Sequence, residues 1–211
     1  MPIDLGTLAS FSLAMLAVFL APGVDIAYMA SKGMKHGVRG GIAAGLGIAV
    51  GVAVQAVAAA LGVTILFKAS PVIFTVVKWS GVVYLIWLGI NILKQHDDAT
   101  RVSDEEQWSV LGTLAKGAGI NLLNPKMAVF FVAFLPQFVS SSQGSVTVQL
   151  AFLGGLFAAA SVVWCSLVGA TFGALGNRFG RSTKVQRWQR RVTGTAFIGF
   201  ATVLGFSDLK R

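Results

Sequence analysis

Apolar residues in this chain come in long blocks, not in the alternation of a half-buried strand or the one-sided stripe of a surface helix. Six blocks can be marked off: about Leu5 to Ala30, Gly40 to Phe67, the Ser70–Pro71 break to Leu93, Gly117 to Val139, Val148 to Gly176, and Val192 to Phe206. About 20 apolar residues carry a helix across a bilayer, and only the last block lies near the lower limit. The pattern predicts six transmembrane helices. The first block is expected to be retained rather than cleaved. No Lys or Arg precedes Lys32, and no short apolar core ends in a small-residue cleavage site.

Blocks one and four differ from the rest because proline interrupts them, in LAPGVD at 20–25 and in LLNPKMAVFF at 122–131. Proline removes a backbone donor and clashes with the preceding turn. In lipid the freed groups need protein partners or a water-lined cavity. Aligning Pro22 with Pro125 sets Gly51 of the second block against Gly154 of the fifth. A separate offset sets Gly81 and Tyr84 against Gly194 and Phe197. Halves of three spans each insert in opposite orientations. Interrupted helices at matching places then point to the central site of a secondary transporter. The competing reading is two ordinary helices kinked by proline.

The expected fold is an all-α integral membrane protein, six helices arranged as two inverted three-helix repeats with broken first and fourth helices. It forms one domain over residues 1–211: repeat one at about 1–94, a cytoplasmic connection at about 95–116, and repeat two at about 117–211. Gly33, Gly37, Gly41 and Gly45 recur every fourth residue, with Gly47 and Gly51 beyond, and make a flat face for a close neighbour. That neighbour is expected within the chain, with a second protomer of a homo-oligomer as the alternative.

Composition agrees: 55% of the 211 residues are hydrophobic and only 12% charged, against about 25% charged in soluble domains. A soluble enzyme, a nucleic-acid module and a disordered tail are thereby excluded. The net charge of +9 then reads as topology, since Lys and Arg collect in cytoplasmic loops. Lys32, Lys35 and Arg39 fall in the first connection, and Lys94, Arg101 and Lys116 in the third. Arg178, Arg181, Lys184, Arg187, Arg190 and Arg191 fall in the fifth. These twelve stand against three on the other side, so both termini are expected outside, in the periplasm. Trp79, Trp108 and Trp188 lie near block ends, where amphipathic rings favour the interface. The stretch from Arg178 to Arg191 is expected to lie on anionic lipid.

Only Asp25 among the eight acids falls within a predicted span, and only Lys78 and Lys126 among the bases. A charge at the bilayer centre costs about 2.5 kcal/mol or more, so each is a functional candidate. Lys78 can snorkel and is read as structural. Lys126, counted inward from Lys116, lies roughly 15 Å deep. Asp25 lies nearer the cytoplasmic mouth, with transport and structural roles about equally weighted. Straight helices set the two roughly 10 Å apart, too far for a direct pair but suited to the two ends of one small zwitterion. Lys126 would take a carboxylate, and Asp25 an ammonium or a proton. Asn121, Asn124 and Gln55 are neutral amides able to line a polar cavity, although Gln55 reads more readily as a helix–helix hydrogen bond. The lone Cys165 has no disulfide partner. His36 and His96 both lie in polar connections, and no Cys/His cluster has metal-ligand spacing.

APGVD in the first block, GGIAAGLGIAVG after a basic loop, YLIWLG in the third block and NLLNPKMAVFFVAFLPQF in the fourth together resemble the LysE/RhtB amino-acid exporter family. The resemblance covers the whole chain and the order of its spans. It implies a bacterial inner-membrane exporter of an amino acid or related metabolite, driven by the proton gradient, without cofactor and not an enzyme. It carries over Pro22, Gly23 and Asp25 from the first motif and Asn124, Pro125 and Lys126 from the fourth. Val24 stands where the family often has a second proline. The alternatives are a metal-ion or other small-metabolite exporter, and a structural membrane subunit. A metal site would want several intramembrane carboxylates, thiols or imidazoles.

Overall fold

The computed structural model describes residues 3–69 and 108–175. It also describes isolated helical positions between 76 and 94 (Val76, Trp79, Ser80, Val83, Ile86, Trp87, Ile90, Lys94) and between 191 and 199 (Arg191, Thr195, Ile198, Gly199). Helix α1 spans Leu5–Leu20, and α2 spans Val24–Ala69. Next come α3, Val110–Leu122, and α4, Pro125–Val129, which runs on into a π turn at Phe130–Phe134 and a 3-10 turn at Leu135–Phe138. A short 3-10 turn, Ser141–Gln143, leads to α5, Val146–Leu175.

Local sequence explains where these helices start and stop. Asp4 caps α1, accepting from the Thr7 amide at 2.9 Å and the Thr7 hydroxyl at 2.6 Å. With Gln143 adding a longer bond, these hydrogen bonds hold the Asp4 carboxyl well below the usual carboxylate range. Pro22 forces Ala21 into an extended conformation (φ −61°, ψ 116°), and α1 stops there. Ser109 caps α3 through the Gly112 amide at 2.9 Å. Asn124 caps α4 through the Lys126 amide at 3.0 Å, with Pro125 preorganised at the first helical position. Pro136 lies just past the π turn, where the backbone has already left α-helical geometry.

Two boundaries differ from the sequence expectation. The first connection is shorter than expected, a tight turn at His36 and Gly37 that divides α2 into two helical segments. Gly37 takes φ 67°, a left-handed conformation open to glycine. The chain reverses there, since Gly33 and Gly41 both lie against Gly169 while Asp25 and Met29 share one cavity with Ile48 and Val52. Lys32 is consequently a helical residue, 3% exposed, with its ammonium 5.9 Å from the centre of the Tyr28 ring. Only Lys35 and Arg39 flank the turn as exposed bases. The fourth segment begins at Val110, seven residues before Gly117, because Ser109 supplies the cap; Lys116 is an exposed residue of α3. The unit α3–α4 is bent by 53° at the break.

By length and composition Val24–Gly62, which turns back at His36 and Gly37, and Val146–Leu175 are each apolar enough to cross a membrane, and the bent pair Val110–Leu122 with Pro125–Phe138 makes a third candidate. Outward faces carry exposed apolar side chains such as Leu13, Val57, Leu61, Val163 and Leu167, as lipid permits and water does not. Over its described residues the chain is an all-helical, multi-pass membrane protein. The third and sixth expected spans lie outside the described residues apart from the isolated positions. So do Lys78, Trp188 and the basic stretch Arg178, Arg181, Arg187 and Arg190; Arg191 is helical and exposed.

The glycine ladder is used within the chain. A Cβ on Gly41 would run into the Gly169 carbonyl, and one on Gly169 into the Gly41 carbonyl. Gly45 lies as tightly on the Cys165 carbonyl. On the other side of α2, Gly47 meets the Leu114 carbonyl and Gly51 the Ala118 carbonyl. Thus α2 is packed backbone to backbone between α5 and α3. A second contact layer is aromatic. Phe19 stacks on Trp164 (5.9 Å, 7°) and meets Phe157 at 4.9 Å, while Phe11 meets Phe138 at 5.3 Å. Such pairs contribute about 0.5–1.5 kcal/mol each beyond burial and tie α1 to the 3-10 turn after α4 and to α5.

Candidate functional site

The two proline breaks face each other in the interior. Each break ends one half-helix at its carbonyls and starts another at its amides. Ala21 offers the terminal carbonyl of α1, and Lys126, from the opposite break, directs its ammonium at it (3.4 Å). Gly23 lies beside the same nitrogen, and a Cβ there would stand 3.5 Å from it, in ordinary van der Waals contact. Asn121 offers a terminal carbonyl of α3, which accepts from Gln55 Nε2 at 2.6 Å and from the Asn124 amide at 2.9 Å. At each freed helix end one carbonyl is thus met by a polar side chain of the protein, as an apolar surrounding requires.

Asp25 lies in the first turn of α2, where the helix dipole favours a carboxylate. Its Oδ2 accepts from Asn124 Nδ2 at 2.8 Å and lies 3.9 Å from the Lys126 ammonium. Asn124 spans the junction with both ends of one amide: its oxygen caps Lys126, and its nitrogen holds Asp25. The opposite amide orientation would lose both bonds. Asp25 and Lys126 are each 7% exposed.

The straight-helix count is overturned at this point. It puts Asp25 and Lys126 roughly 10 Å apart along the membrane normal, whereas they form a pair at 3.9 Å. The breaks are the reason: each chain turns at its proline, so the count along a straight axis no longer measures separation.

All eight sequence candidates fall around this junction. Pro22 and Pro125 make the turns, Gly23 lies beside the Lys126 ammonium, and Asp25, Asn124 and Lys126 form the polar centre. Asn121 lies against them, and Gln55 supports it from α2 without lining the cavity. A cavity of about 30 Å³ opens here, lined among others by Asp25, Asn121, Lys126, Ser161, Trp164 and Cys165. Since about 10–15 Å³ accommodates one water, this is room for roughly two. Three atoms around the junction find no hydrogen-bond partner among the described residues: Asp25 Oδ1 and both polar atoms of the Asn121 side chain.

Sequence reasoning missed the contribution of α5. Ser161 and Cys165 are both buried and lie four residues apart on the face that closes the cavity. A polar pair at helical spacing inside an otherwise apolar block was the available signal. Among the described residues no three His, Cys, Asp or Glu side chains gather as metal ligands would.

The LysE type translocator family matches residues 16–208. The chain belongs to that family. It is 29% identical to an uncharacterized membrane protein of Vibrio cholerae over 204 residues, covering 95% of this chain and 97% of the relative. It is 30% identical to a leucine efflux protein of Klebsiella pneumoniae over 192 residues, 89% of each chain. A leucine efflux protein of an Enterobacter strain is 28% identical over 191 residues, again 89% of each. No solved structure matches the chain.

Proposed function

We propose that this protein exports a small amino acid across the bacterial inner membrane, exchanging it for protons at the junction of the two breaks. One observation carries the reading: a carboxylate, a lysine and two amides are buried together where two interrupted helices meet. Buried charges in apolar surroundings are costly, and inside membranes they mark substrate or ion pathways. Leucine efflux proteins among the relatives supply the substrate class, an amino acid. The apolar remainder of the cavity wall, including Val18, Ile26, Met29, Ile48 and Val52, suits a neutral aliphatic side chain.

In this mechanism Asp25 is the proton site. As a carboxylate it holds Lys126 and Asn124. On taking a proton it gives up the ion pair and can no longer accept from the ammonium of a substrate. Proton binding and substrate binding thus compete for one set of contacts, which is the requirement for exchange. The two breaks act as the paired elements of an inverted repeat, which rock about the junction to expose it to either side. Both termini are placed in the periplasm on the charge bias. A metal-ion exporter is the weaker reading, because the junction's carboxylate is already held by a lysine.

The test is to reconstitute the purified protein into liposomes loaded with an equimolar mixture of the twenty protein amino acids and follow their loss by mass spectrometry. Selective loss of neutral aliphatic amino acids is expected. Loss no faster than from protein-free liposomes for every member of the mixture would refute the exporter reading.

A further inference from the structure

Asn121 has a role that the ion pair and the breaks leave unexplained. Its backbone is fully used: the carbonyl holds Gln55 and the Asn124 amide at the end of α3. Its side chain is 0% exposed and lines the cavity, yet neither its oxygen nor its nitrogen has a partner among the described residues. A buried amide without partners is penalised in a resting protein, and a leucine of the same shape would fill the site without that penalty. Beside it, Asp25 Oδ1 is unpartnered too, while Oδ2 is occupied by Asn124 and Lys126. The unsatisfied polar atoms of this cavity are therefore one donor and two acceptors.

We infer that the Asn121 side-chain amide binds the main chain of the transported amino acid, donating from Nδ2 to its carboxylate and, with Asp25 Oδ1, accepting from its ammonium. The inference rests on the exporter reading and deepens it. A primary amide carries a donor and an acceptor a short distance apart, as the two ends of a zwitterion require. Lys126, already engaged by Asp25 and the Ala21 carbonyl, keeps the carboxylate of Asp25 oriented and is not the first partner of the substrate. At about 30 Å³ the cavity accommodates waters in this closed arrangement. Opening at the breaks admits the amino acid, whose charged ends take over the waters' hydrogen bonds.

Such a site must tell a free amino acid from its carboxamide, because a group built to donate to a carboxylate loses strength against a neutral amide. The experiment uses the full-length protein and its Asn121→Leu variant in liposomes. Exchange of each amino acid of the twenty-member mixture, and of the corresponding carboxamides, is measured alongside the melting temperature in detergent. Asn121→Leu is expected to melt at or above the wild-type temperature. Its KM for the exchanged amino acids should rise at least tenfold, and the preference for free acid over carboxamide should disappear. An unchanged KM, or an unchanged preference, would overturn the inference while leaving the exporter reading intact. A variant that melts lower and accumulates poorly would overturn it as well, since the amide would then be a structural bond. If the wild type exchanges no member of the mixture, the exporter reading fails first, and this inference with it.

Discussion

Lys126 and Asp25 sit 3.9 Å apart, with 9% and 10% of their side chains exposed. Removing one member of a buried pair strands the other charge, at a cost of about 3–5 kcal/mol. Lys126→Met should therefore be strongly destabilising, and Asp25→Asn less so, because the asparagine oxygen can still accept from the ammonium. Adding Asp25→Asn to Lys126→Met removes the stranded charge and should recover stability. Melting temperatures of the four proteins in detergent provide the measurement. A coupling of about 0.5–3 kcal/mol is expected for residues in contact, and additive losses would contradict the pair. These two residues were legible in the sequence because a lone carboxylate and a deep lysine stand out in apolar blocks. Their contact was not, since separation along a straight helix says nothing once each chain turns at a proline. The unpartnered state of Asn121 was illegible for the same reason: it depends on what the fold brings near.

At the scale of elements, both breaks were readable from Pro22 and Pro125, and the structure adds that they meet. Pro22→Ala and Pro125→Ala restore a backbone donor at each break and relax the constraint that holds Ala21 and Asn124 extended. If the breaks serve only as kinks, the variants should transport normally. The junction requires otherwise: straightening either helix draws the Ala21 carbonyl or the Asn124 cap out of reach of Lys126. Each variant should accumulate in the membrane at or near the wild-type level while its exchange rate falls at least tenfold. Normal exchange at normal abundance would contradict this. Helix boundaries were less legible than the breaks. Ser109 and Gly112 form a cap that starts α3 early, but a count of polar residues assigns that turn to the preceding loop. Likewise Gly37 lets the chain turn back within two residues, so Lys32 joins a helix instead of a basic connection.

For the molecule as a whole, the blocks of apolar sequence were sufficient for a membrane protein and the motifs for a family, which matches residues 16–208. Composition could not reveal how α2 is wedged between α3 and α5. That arrangement follows from which glycines face which carbonyls, as Gly41 and Gly169 do. In the proposed mechanism, proton entry at Asp25 drives the amino acid outward through the junction. The most direct measurement imposes a pH gradient on liposomes containing wild-type protein or Asp25→Asn, normalised to reconstituted protein. Uptake against the substrate's gradient is followed together with gradient-free exchange. Wild-type protein should concentrate its amino acid in the compartment from which protons leave, and Asp25→Asn should exchange without concentrating. Gradient-driven accumulation by Asp25→Asn at the wild-type rate would contradict the claim.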